Sequence, residues 1–164
     1  MDHKLRARTK KKRRPIRATV ASAPAGLGHD PSPPPSAWKK RALTVLAPAG
    51  LPPADLGYSQ GFLADARKLV VLAGNGPDDL AADMETQMHQ TFRRIERVLR
   101  EAGATFDHVI FIRSYFVHLA RDLPVFRKVR RQYLSRPYPA STVVGVTALA
   151  VPGLDIEVEV MAVL

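Results

Sequence analysis

The chain has 164 residues and a formal net charge of +10 at neutral pH, long enough for one domain with a real core and too short for two of ordinary size. The charge is confined: residues 1–41 hold 12 Lys/Arg against Asp2 and Asp30, whereas residues 42–164 hold 13 of each sign. A basic domain built to cover nucleic acid is therefore disfavoured. The absence of cysteine excludes disulfides, thiolate nucleophiles and cysteine-bound zinc, and suits a reducing, cytoplasmic setting. No window nears the roughly 18–20 apolar residues that span a bilayer, so no membrane partner is expected.

Residues 1–40 read as a disordered basic extension, separate from a domain over 41–164. Nine Lys/Arg fall within residues 1–17, with Lys10–Arg14 unbroken, and residues 18–37 are mostly Ala, Pro, Ser and Gly. Ordering such a segment costs roughly 1–2 kcal/mol per residue and buries almost nothing in return. It is the one part expected to touch nucleic acid or an anionic surface, through salt-sensitive phosphate attraction. A twin-arginine export signal starting at Arg13-Arg14 is interrupted by Arg17 and Pro24. A transit peptide, a dispensable tail and a mis-assigned start are the other readings.

Leu43–Leu46 is a short apolar run before a Pro/Gly-rich loop. Tyr58–Leu63 and Lys68–Ala73 flank Ala64–Arg67 and predict a β-hairpin. Over 81–102, Met84, Met88, Phe92, Ile95, Leu99 and Ala102 recur at three- and four-residue steps, predicting a helix with Asp78, Asp79 and Asp83 at its positive end and Gly103 as its stop. Val109–Val117 is dense in β-branched and aromatic residues, as in a strand buried on both faces. A second helix is predicted over 122–134, with Leu123, Phe126, Val129 or Arg130, and Tyr133 inward and Pro124 in its first turn. Two strands close the chain, over 141–149 and 154–163; in the latter Ile156, Val158, Val160 and Ala162 alternate with polar residues and Met161. The order ββαβαββ implies an α+β fold, a mixed β-sheet with two helices packed on one face. The other face needs a cover, for which a second copy of the chain is the economical source.

Tyr58-Ser59-Gln60, Leu72–Asn75, Asp83–Met88 running to Leu99–Ala104, and Pro139-Ala140 through Ile156–Ala162 together resemble the Rid family, also called YjgF/YER057c/UK114, over about residues 41–164. The resemblance implies a chorismate-mutase-like protomer, a homotrimer, and small-molecule clefts between subunits where reactive enamines and imines are hydrolysed to a keto acid and ammonia. The family's carboxylate-binding arginine follows the Pro-Ala of the penultimate strand, and here that position is Ser141. Serine cannot form a bidentate pair with a carboxylate, so ordinary 2-imino-acid deamination is not expected unless another cation, Arg127 or Arg113, reaches the cleft. Arg127 also aligns with a frequent asparagine of the family's second helix. Tyr58 matches the cleft tyrosine, Gly74 the glycine whose backbone lies against ligand, and Glu157 the acid that positions water. Glu157 and Glu159, two apart on a strand, share a face, where repulsion favours holding a proton on one of them.

The bland readings of these residues are strand packing for Tyr58, a turn glycine at Gly74 and a solvated strand face for Glu157. The competing functions are a non-catalytic metabolite binder or scaffold, and RNA binding or cleavage. No cofactor or metal is expected: His3, His29, His89, His108 and His118 form no HxxxH or HxH pair. Gly74-Asn75-Gly76 runs into Asp78-Asp79, whose charge opposes phosphate, and neither Ser141 nor Ser59 has sequence support as a triad nucleophile.

Overall fold

The computed structural model describes residues 43–51 and 57–164; the basic extension predicted over 1–40 lies outside the described residues. Strand β1 (Leu43–Leu46) pairs antiparallel with β2 (Gly61–Ala64), from Leu43 opposite Ala64 to Leu46 opposite Gly61. The hairpin predicted between Tyr58–Leu63 and Lys68–Ala73 is thus corrected. Strand β3 (Leu69–Asn75) joins the main sheet instead, because the Arg67 and Lys68 amides both donate to the Leu164 carbonyl at 2.9 Å and Leu72 buries opposite Val160.

The main sheet holds β3, β6 (Ile156–Val163), β4 (Val109–Phe116) and β5 (Ala140–Gly145), in that order. The β4–β5 pair is parallel and the other two pairs are antiparallel, so β4 and β5 need a crossover. Helix α2 (Leu119–Arg130) supplies it and packs beside α1 (Met84–Glu101). The α+β reading holds: two helices cover one face of a mixed sheet.

Asp83 caps α1 by accepting the Thr86 amide at 3.0 Å and the Thr86 hydroxyl at 2.7 Å, satisfying a donor that the first turn leaves without a partner. That capping starts the helix at Met84, three residues after the predicted start. Gly103 stops it as predicted, with φ of +71°, a conformation that favours glycine. Helix α2 starts three residues before the predicted 122, because the Arg121 and Asp122 amides both reach the His118 carbonyl at 3.1 Å. Pro124 therefore sits in the second turn rather than the first. After Arg130 the chain leaves the helix, although Tyr133 and Leu134 still pack on the core.

Between helices and sheet lies one apolar core. Phe92, Ile112, Phe116, Phe126, Ile156 and Val158 are fully buried, and the Phe92 ring stacks on Tyr133 with centroids 4.7 Å apart. On β4, Val109, Ile112, Ser114 and Phe116 are buried, while Phe111, Arg113 and Tyr115 are half-buried. Within one protomer the described residues cover the second face only in part, so burial on both faces is not reached by one chain alone. Strand β5 ends at Gly145 rather than 149. Phe92→Ala should cost about 3–5 kcal/mol, read as a lower urea midpoint at unchanged slope.

Candidate functional site

The alternation of β6 assigns its acids to the face away from the helices. Glu157 stands opposite Tyr115 and Glu159 opposite Arg113, while Val158 and Val160 point into the core. Between Leu72 and Asn75 the β3–β6 register shifts, and the Glu157 side chain lies directly against Gly74. A Cβ on Gly74 would stand 2.7 Å from Glu157 Cγ and overlap its carboxylate. Gly74 and Glu157, both singled out in the sequence, are thus brought together, and the glycine is what makes room.

Glu159 is not a bare second acid. It accepts Arg113 Nη1 at 2.8 Å and the Tyr115 hydroxyl at 3.3 Å, so the expected repulsion between Glu157 and Glu159 is offset by a cation on the same face. The Tyr115 and Glu159 contacts hold the Arg113 guanidinium above its ordinary value, and it lies 5.1 Å from the Phe111 ring centre. Beside it, Val71, Phe111, Glu159 and Met161 line a shallow depression, with Val71 61% exposed.

The remaining candidates stand elsewhere. Ser59 runs parallel to Ala140, its amide donating to the Pro139 carbonyl at 3.2 Å, which sets half-buried Tyr58 beside the start of β5. Ser141 is opposite Ile112, a core residue, so its side chain points to the helix side. Strand β5 is two strands from β6, about 10 Å across the sheet. One protomer therefore keeps Tyr58 and Ser141 apart from Gly74 and Glu157.

Neither cation expected to serve Ser141 reaches it: Arg113 is held by Glu159 on the other face, and Arg127 is exposed on α2. A third one does. Arg130, the last residue of α2, is 5% exposed and donates Nη1 to Ser141 Oγ at 3.3 Å. Burial pulls its guanidinium down to about 10, which leaves it protonated at neutral pH. The sequence carried one sign of this, since Leu123, Phe126 and Arg130 follow helical spacing and put a cation on an apolar stripe. Among the described residues, no group of three or more His, Asp or Glu stands close enough to hold a metal ion.

A family model described as Endoribonuclease L-PSP matches residues 50–164. AldR, named as a regulator of Lactococcus lactis subsp. lactis, is 29% identical over 123 residues, covering 75% of this chain and 96% of its own length. The solved structure of YyfB from Yersinia pestis, described as a member of the conserved Rid protein family, superposes with a TM-score of 0.65 at 27% identity, over 75% of this chain and 99% of its own. A Mycobacterium tuberculosis member of the YjgF/YER057c/UK114 family gives 0.55 at 34% identity, over 66% and 87%.

Gly74→Ala should fold within about 1 kcal/mol of the parent, as exposed substitutions generally do, but it should displace the Glu157 carboxylate. A structure of the variant with Glu157 unmoved would contradict the packing described.

Proposed function

The chain belongs to the Rid family, also called YjgF/YER057c/UK114, and we propose that it hydrolyses a small enamine or imine in clefts between the protomers of a homotrimer. The observation that carries this reading is the seating of the Glu157 carboxylate on Gly74, on a sheet face that the protomer leaves partly uncovered. In balance, water adds to the C=N carbon, its proton passes to nitrogen, and the adduct collapses to a carbonyl and ammonia. Glu157 holds and orients that water and accepts its proton. Tyr58 orients the substrate from the other wall, and the Gly74 backbone lies against it.

The two-wall arrangement favours an assembly. Tyr58 and Ser141 cannot share a small ligand with Glu157 inside one protomer, whereas a neighbour's β5 edge docked over the open face would bring the walls together. Exposed Val71 and Met161 give that face an apolar surface to bury. A cytoplasmic setting fits this reading, and among the described residues no helix is long and apolar enough to cross a membrane. RNA binding draws no support from residues 42–164, whose formal charge is zero.

Two measurements test the proposal. Sedimentation should give three times the 18.0 kDa chain mass, and the mass of one chain would contradict it. Because Arg130 brings to Ser141 the cation that the strand lacks, 2-iminopropanoate generated in situ by an amino-acid oxidase should be hydrolysed faster than in buffer, and Glu157→Gln should lower kcat by about 10²–10⁴-fold. Hydrolysis at the buffer rate would overturn the catalytic reading.

A further inference from the structure

We propose that Arg130, delivered by helix α2 rather than by strand β5, takes the place of the family's strand arginine and receives the ligand's carboxylate together with Ser141. This rests on the cleft reading above, because it places a ligand at the β5 edge.

Arg130 is an unusual buried cation. Among the described residues it has no carboxylate partner, and its Nη2 is buried without a hydrogen-bond partner. Besides burial itself, Tyr138 favours its charge, while Arg131 and Arg127, of its own sign, oppose it. Burying a guanidinium that no carboxylate pairs with is strongly unfavourable, and the 3.3 Å bond to Ser141 together with the Phe126 ring at 5.4 Å offsets only part of that. A structural role would leave those donors matched; a binding role leaves them open for an anion.

The surroundings are shaped for the same end. Gly57, at φ of +84°, runs so close that a Cβ there would stand 3.3 Å from Arg130 Nη2. Ser141 accepts from Nη1 and keeps its own hydroxyl proton to donate onward. It is partly exposed where the guanidinium is not, so it connects the buried charge to the surface beside Tyr58. An arginine at 141 would compete with Arg130 for the same space. The small residue on the strand and the cation on the helix are therefore one arrangement, and the bidentate geometry of guanidinium selects a planar carboxylate.

Pyruvate is a stable probe, with methyl pyruvate as its uncharged counterpart, and binding to the full chain is read by titration calorimetry. Pyruvate should bind at least about 30-fold more tightly than the ester; equal affinities, or no pyruvate binding, overturn the inference without needing any variant. Arg130→Met should lower pyruvate affinity by about 30-fold or more, with a Tm no lower than the parent's, and Arg130→Lys should lower it less. Adding Ser141→Arg to Arg130→Met should restore binding. Unchanged affinity in Arg130→Met overturns the inference, as does a lowered Tm without loss of binding, which marks a structural arginine. Arg130-dependent pyruvate binding in a protein that fails to hydrolyse imines retires the catalytic reading and leaves this one standing.

Discussion

The rest of the structure depends on the two-residue period of β6. As the inner strand between β3 and β4, it must present Ile156, Val158, Val160 and Ala162 to the helices to complete the core, and the pleat then sends Glu157, Glu159 and Met161 to the other side. A slip of one residue would exchange the faces, burying two carboxylates among Phe92, Phe116 and Phe126. Packing energy therefore fixes which side carries the acids, and the position of Glu157 follows from hydrophobic burial on the opposite side of its own strand.

The two faces use charge differently. Arg113 and Glu159 lie on a half-exposed surface, where an ion pair is worth little because water screens it and two long side chains must be ordered. What that pair does is occupy Arg113, leaving Glu157 without an ion-pair partner among the described residues. Arg130 lies among aromatic side chains, where a charge is costly but each interaction it makes is strong. A domain with a formal charge of zero thus still offers one concentrated positive point.

What could be read beforehand divides along local and non-local lines. Helix α1 was legible because its apolar stripe, Asp83 cap and Gly103 stop are local signals that agree. The alternation of β6 was legible for the same reason. Strand pairing was not: β2 is as plausible beside β3 as beside β1 from its residues, and the choice was made by Leu164, nearly 100 positions away, whose carbonyl ties down the start of β3. The start of α2 was misplaced because Pro124 usually marks a first turn, whereas here the His118 carbonyl opens the helix earlier. Of the site, the family pattern singles out Gly74 and Glu157 separately, and their contact with each other comes from the β3–β6 register. Arg130 is legible from its residues only as an inward position of the second helix, because which guanidinium arrives at Ser141 depends on where α2 ends in space.

That ending has a further consequence. Arg130 closes α2, and the carbonyls of a helix's last turn carry the equivalent of roughly half a negative charge. The guanidinium is consequently held in a standing field of the opposite sign even when no ligand is present. An anion that arrives competes with a partial compensation already in place, and one that departs hands the cation back to it. In the arrangement proposed for the cleft, the helix terminus acts as a resident counterweight, softening the difference between the occupied and the vacant protomer and favouring rapid exchange over tight retention. A cation carried on strand β5 would have no such neighbour.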